Sequence, residues 1–132
     1  LDLDLDLAAS IWRKAVTLPG AQQTRGLSWY HADLVAENLL LDNLDQLTAI
    51  LDWGTLGVGD PTVDLHGAWE LFAADDRDVF RRAVAASDEA WQMGGAWALG
   101  IALGCFAYYW ETMPGRCADR LIMAQAVLRE FA

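Results

Sequence analysis

The first six residues alternate leucine with aspartate at period two, a strand pattern weakened by three like charges on one face, so residues 1–6 read as a strand or a frayed lead-in. From Leu7 the period changes. Leu7, Ile11, Ala15 and Leu18 recur at helical spacing with Trp12 beside them, and Pro19-Gly20 closes the segment. AQQTRG, residues 21–26, reads as a loop, and the apolar run 27–30 reads as a short buried strand.

Two further strands are expected over 38–41 and 47–51, separated by the turn-rich stretch Asp42-Asn43-Leu44-Asp45-Gln46. Folding this hairpin about its turn sets Asn38 opposite Asp52 to within a residue or two, at the open end of the ladder. Residues 54–59 read as a glycine-rich loop. Asp60-Pro61 then has the form of an N-cap followed by proline at the first helical position, opening a helix to about Phe72 with Leu65, Trp69 and Phe72 along one stripe. Asp75-Asp76 opens a helix carrying Val79, Phe80, Ala83 and Val84. Ser87-Asp88 opens a long apolar one that Pro114-Gly115 ends, and a last helix runs from about Arg116 to Phe131 with Leu121, Gln125, Leu128 and Phe131 at helical spacing. The order is helix, short strands, then four helices, with no internal repeat.

Composition changes this picture in three places. The 132 residues fit one domain, and the formal net charge of −10 makes a nucleic-acid backbone or an anionic membrane surface a poor partner, whereas a cationic or neutral ligand suits it. The two cysteines, Cys105 and Cys117, have neither the number nor the spacing of a zinc site or a disulfide framework, which points to a reduced, cytoplasmic compartment; no signal peptide is seen. The chain does not begin with Met, so a fragment of a longer protein is expected. Residues 90–110 carry no charge and include Gly100 and Gly104 in a GxxxG arrangement, but four glycines, Gln92 and the absence of basic anchors favour a buried helix over a membrane span. The seven tryptophans are expected mostly in the core.

The chemistry concentrates between Tyr30 and Leu65. In HADLVAEN, residues 31–38, His31, Asp33 and Asn38 fit the H-x-D-x-x-x-x-N spacing of a kinase catalytic loop, and Asp52-Trp53-Gly54 stands where such a chain has D-F-G. Phosphoryl transfer needs an acceptor oxygen held in line and a divalent metal that spreads charge over the phosphates. Asp33 suits the first task, as acceptor of the hydroxyl proton or orienter of that oxygen. Asn38 and Asp52 suit the second, because magnesium prefers oxygen ligands and keeps several waters. Taken singly, these residues are also common turn and cap residues, and His31 is more readily a structural histidine than a catalytic one. His66, just after a helix start among apolar neighbours, reads as a hydrogen-bonded packing residue. Glu70, Asp75, Asp76 and Glu111 are candidates to line a pocket for ammonium groups, although a solvated helix face is the commoner role.

HADLVAEN, AILDWGTLGVGDPTVDL and the helices after them resemble the C-terminal lobe of the aminoglycoside phosphotransferase family, relatives of choline kinase. The resemblance implies an α+β kinase-like fold, with residues 1–132 forming a mostly helical C-terminal lobe that carries the catalytic and metal-binding loops on a small β-hairpin. It implies Asp33 as catalytic aspartate, Asn38 and Asp52 as magnesium ligands, His31 as a structural loop residue, Asp64 as a brace of the catalytic loop through backbone amides, and Asp60 as a helix cap. The implied reaction moves the γ-phosphoryl group of ATP or GTP, with Mg²⁺, to a small-molecule hydroxyl, a cationic acceptor being one candidate. The glycine-rich phosphate loop and strand lysine of an N-terminal nucleotide-binding lobe do not precede the motif, so that lobe is expected to be a missing partner, its uncovered cleft face open to self-association and the chain alone inactive. Two positions depart from the family pattern: Ala32 stands where glycine is usual, and Val35-Ala36-Glu37 where His-Pro-Gly is common. Glu37 adds a negative charge beside a proposed metal ligand, expected to retune metal binding or to contact a cationic substrate. The rival reading is a non-catalytic, kinase-like ligand-binding or regulatory module.

Overall fold

A computed structural model describes residues 2–19 and 27–132. Asp4 accepts a hydrogen bond from the Leu7 backbone N–H at 2.9 Å and so caps helix α1, Leu5–Val16. This capping corrects the strand reading of residues 1–6: Asp4 satisfies one of the orphan donors that every helix start leaves, and Asp6 lies in the first turn, where a carboxylate is favourable. The expected loop over residues 21–26 and the closing Gly20 lie outside the described residues.

Among the described residues four short strands follow, β1 (Ser28–Tyr30), β2 (Leu39–Leu41), β3 (Leu47–Ile50) and β4 (Gly57–Gly59). They form two separate antiparallel ribbons, β2 with β3 and β1 with β4. The first is the expected hairpin, with Leu39 opposite Ile50. Its turn is tied by Asp42, whose Oδ1 accepts from the N–H groups of Leu44 and Gln46 at 2.8 and 2.9 Å. The second ribbon pairs Trp29 with Val58 and takes up part of the stretch expected to be a loop. The strand over 27–30 is exposed rather than buried, with Leu27 and Trp29 each 68% accessible.

The helical part begins at Asp60, whose Oδ1 accepts from the Thr62 N–H at 2.9 Å, with Pro61 in the first position. The chain runs as a 3-10 helix over Pro61–His66 and widens into helix α2, Gly67–Leu71. Helices α3 (Ala74–Ala83), α4 (Asp88–Tyr109) and α5 (Pro114–Phe131) complete the fold. Pro114 opens α5 rather than ending α4, in keeping with the tolerance of a helix's first turn for a missing N–H. Ser87 caps α4 through the Ala90 N–H.

Helix α4 is the centre of the packing and contacts α1, α5 and the 3-10 segment. A side chain at Gly94 would stand 2.6 Å from Leu65 Cβ, and one at Gly95 would meet the Phe131 ring, so the paired glycines let both neighbours close on the helix. The core gathers Ala8, Ile11, Trp69, Trp91, Leu99, Met123 and Val127. Only Trp69 and Trp91 of the seven tryptophans are fully buried, while Trp12, Trp29, Trp53 and Trp110 are exposed, so the expectation of a mostly core role fails. Val79 likewise points outward. Among the described residues no helix is long and apolar enough to cross a membrane.

Candidate active site

Where β1 ends, the chain enters an irregular loop whose backbone is held from below. Asp64 Oδ1 accepts from the N–H groups of His31 and Ala32 at 3.1 and 2.7 Å, and Oδ2 accepts from His31 at 2.9 Å. Asp64 lies in the 3-10 segment that Asp60 caps, so the loop's shape depends on where that segment starts. Ala32 sits at φ 65°, a left-handed conformation that glycine adopts more readily.

His31 is 3% exposed, and its ring joins the two halves of the motif. The Asp33 N–H reaches Nδ1 at 3.2 Å, and Nε2 lies 2.8 Å from the Leu51 carbonyl. An amide N–H only donates and a carbonyl only accepts, so Nδ1 is the acceptor and Nε2 carries the proton. Trp53 packs edge-on to this ring at 4.8 Å. Thr55 Oγ1 donates to the His31 carbonyl at 2.6 Å, a tie that no sequence signal marks.

Val35 is buried and anchors the loop's far side; its carbonyl accepts from the Asn38 N–H at 3.0 Å, closing a 3-10 turn over Ala36–Asn38. Asn38 is buried too. Its Nδ2 donates to the backbone carbonyl of Asp33 at 2.9 Å and to Asp33 Oδ2 at 3.0 Å. The Leu51 N–H donates to the Asn38 carbonyl at 2.7 Å, which sets Asp52 one residue beyond the pairing of Asn38 with Leu51. Asp52 is exposed, lies at φ 53°, and accepts from the Gly54 N–H at 3.3 Å. The structure therefore gathers His31, Asp33, Asn38 and Asp52 at the open end of the hairpin, with Asp64 and Asp60 beneath.

Among the described residues no three His, Cys, Asp or Glu side chains form a cluster able to hold a metal by themselves. The donor set of Asn38 and Asp52 fits magnesium. With Nδ2 spent on Asp33, the amide oxygen of Asn38 is the atom left to face a cation, and two oxygen ligands leave room for waters and phosphate oxygens.

Glu37 does not contact the hairpin's open end. Its carboxylate pairs with Arg116 of α5 at 2.6 Å, and its pKa is held below the ordinary glutamate value first by its own backbone N–H and then, against partial burial, by Arg116. Glu70 is likewise engaged, by the buried Arg120. Arg116 and Arg120 stand one turn apart on α5, the only sequence hint of the two contacts. Glu70 and Asp75 line different cavities, so the four acids considered for an ammonium pocket are not brought to one place. His66 is 1% exposed and Nδ1 lies 2.6 Å from the Val63 carbonyl, but Nε2 has no partner, correcting its reading as a fully hydrogen-bonded residue.

A sequence model of the phosphotransferase enzyme family matches residues 1–99, three quarters of the chain, a stretch that holds His31, Asp33, Asn38, Asp52, Asp60 and Asp64. No curated protein and no solved structure matches the chain significantly.

Proposed function

The chain belongs to the phosphotransferase enzyme family, and from that premise we propose that it carries the acid–base and metal side of a small-molecule O-phosphotransferase using ATP or GTP. The observation that carries this reading is the double hydrogen bond from Asn38 to Asp33, which orients a carboxylate and a metal-facing amide oxygen with one side chain. Asp33 is half-buried, with Oδ2 held by Asn38, and we assign Oδ1 to the acceptor hydroxyl. The hydroxyl oxygen would form a bond to the γ-phosphorus while the bond to the nucleoside diphosphate's bridging oxygen breaks, and Asp33 would take the hydroxyl proton. Magnesium bound at Asn38 and Asp52 would neutralise charge developing on the phosphates.

His31 and Asp64 are positioning residues in this reading. Together they hold the backbone N–H groups of His31, Ala32 and Asp33 and the Leu51 carbonyl without touching a reacting group. The two ribbons expose Trp29, Leu40, Leu41, Leu47 and Val58, and we place a nucleotide-binding lobe against that apolar surface.

The test is Asp52→Ala in the full-length protein, read as magnesium-dependent nucleotide turnover. Loss of turnover is expected, with a milder loss in Asn38→Ala. Unchanged activity and magnesium dependence in Asp52→Ala would overturn the assignment.

A further inference from the structure

The chain's two cysteines, twelve positions apart, meet across the turn that joins the last two helices. The connection over residues 110–113 folds α5 back along α4, so positions at similar distances from that turn face one another. Cys105 lies about one turn before the end of α4, and Cys117 lies in the first turn of α5. Both thiols are free and both residues are buried. Cys117 Sγ stands 3.8 Å from the Cys105 carbonyl oxygen.

The two side chains also touch. The Cys105 thiol is pushed above its ordinary pKa, first by burial and then by its hydrogen bond to the Cys117 thiol, while Arg116 acts the other way and favours the thiolate. A buried thiol with no path to solvent is inert. Cys117 has such a path, because it lines a cavity of about 300 Å³ together with Asp2, Trp110, Pro114, Ala118 and Leu121. A hydroperoxide, which needs little more room than the roughly 30 Å³ of a water molecule, fits there.

The first turn of α5 also reaches the catalytic loop. Arg116 precedes Cys117, and its Nη1 donates to Glu37 Oε1 at 2.6 Å, within the 3-10 turn that carries Asn38. Movement of Cys117 is therefore felt, through one residue and one ion pair, at a proposed metal ligand.

We propose that Cys105 and Cys117 are an oxidation site, in which a hydroperoxide entering by this cavity converts the pair to a disulfide that draws α5 toward α4 and loosens the hold of Arg116 on the Asn38 turn. The O–O bond breaks as one peroxide oxygen joins Cys117 Sγ, and the thiol's proton leaves with the other oxygen, leaving a sulfenic acid. Cys105 Sγ then attacks Cys117 Sγ. The S–S bond forms, the S–O bond breaks, and hydroxide departs with the Cys105 proton as water. The two thiols have given up two electrons to the peroxide. Contact between the thiols favours this second step, since attack within one folded chain replaces an encounter from solution. A disulfide brings its sulfurs to about 2.0 Å, closer than any non-bonded contact, so the first turn of α5 has to move. A displacement of about 1 Å in groups that position a reaction is enough to lower its rate.

The oxidation site stands on the two helices alone, and only its effect on turnover rests on the phosphotransferase reading. The experiment treats the full-length protein with hydrogen peroxide, blocks the remaining thiols with iodoacetamide and digests it without reductant. Mass spectrometry should recover the Cys105 and Cys117 peptides joined and short of two hydrogens, and dithiothreitol should separate them. Magnesium-dependent nucleotide turnover should fall threefold or more on oxidation and return with dithiothreitol. Cys105→Ala and Cys117→Ala, which keep a small apolar side chain in the core, should hold their turnover through the same treatment. Recovery of the two cysteines singly alkylated, or oxidised without being joined, overturns the proposal, and this arm needs no variant. A joined pair with unchanged turnover overturns the link to Asn38 and leaves the oxidation site standing. Absence of magnesium-dependent turnover in the reduced protein overturns the phosphotransferase reading, and the joined peptides still decide the oxidation site.

Discussion

The backbone N–H of Ala32 lies 2.7 Å from Asp64 Oδ1, and that bond holds a residue with a side chain in a conformation suited to glycine, at φ 65°. The left-handed region costs a residue with a Cβ on the order of 1–2 kcal/mol. Asp64 offsets that cost with charge-assisted bonds to two successive amides.

Ala32→Gly should therefore stabilise the protein by about 1 kcal/mol, the relief of strain outweighing the greater freedom of glycine in the unfolded chain. Urea denaturation would show the midpoint rise with no change in slope. A fall in the midpoint would mean that the loop relaxes away from φ 65° in solution.

Asp33→Asn should lower kcat on the order of a hundredfold or more while moving KM for the acceptor much less, because a positioned carboxylate acts on the hydroxyl during transfer. The substitution keeps an oxygen for Asn38 Nδ2, so the loop should hold its shape. Near-native kcat in this variant would make Asp33 a structural residue.

The hairpin and the ends of its ladder were legible in the sequence because they are local: Asp42 closes the turn through amides two and four residues on, and a two-strand register then places Asn38 near Asp52 without further information. The pairing of β1 with β4 was not legible. Gly57 and Gly59 supply no alternation, and the partner lies 27 residues or more away. Burial misled in the same region, since an apolar run is buried only when something packs over it, and among the described residues nothing covers Trp29. Pro114 carries two opposite signals, breaker of the helix before it and favoured first residue of the helix after it, and the sequence does not rank them. Glu37 meets Arg116 across 79 positions, a contact visible only as an arginine pair one turn apart on the last helix.

Glu130 joins three elements through one carboxylate. Oε1 accepts from Trp91 Nε1 at 2.6 Å, and Oε2 accepts from Trp69 Nε1 at 3.0 Å and from Arg77 Nε at 3.2 Å. Glu130→Gln puts an N–H₂ group where one indole donor points and removes the charge facing Arg77, which is 8% exposed. A loss of roughly 1–3 kcal/mol is expected, in line with stranding a buried donor. The two indoles lie 4.6 Å apart, tilted by 38°, so tryptophan fluorescence should shift together with the denaturation midpoint. A variant as stable as the native protein would show that Glu130 is held by the indoles without holding them.

His66 gives the protein a pH dependence whose sign follows from its surroundings. Burial is the largest influence and pushes its pKa below the ordinary value of 6.5. The Val63 carbonyl, Asp64 and Asp33 act the other way, and Arg120 adds to the lowering. The folded protein thus keeps the ring neutral at a pH where the unfolded chain protonates it. Above about pH 6.5 both states are neutral and stability is undiminished. As the pH falls below that value toward the depressed folded pKa, the unfolded chain binds the proton first, and stability falls by at most about 1.4 kcal/mol per pH unit from this group. Carboxylates titrate lower in the same scan, so the informative quantity is the native protein minus His66→Gln, which keeps an amide donor for the Val63 carbonyl and has no proton to gain. That difference should decline on acidification from about pH 6.5 and level off once the folded protein also protonates. Denaturation curves of the two proteins that stay parallel across the window would mean that the ring is solvated in solution, and that the orphaned Nε2 has found a partner there.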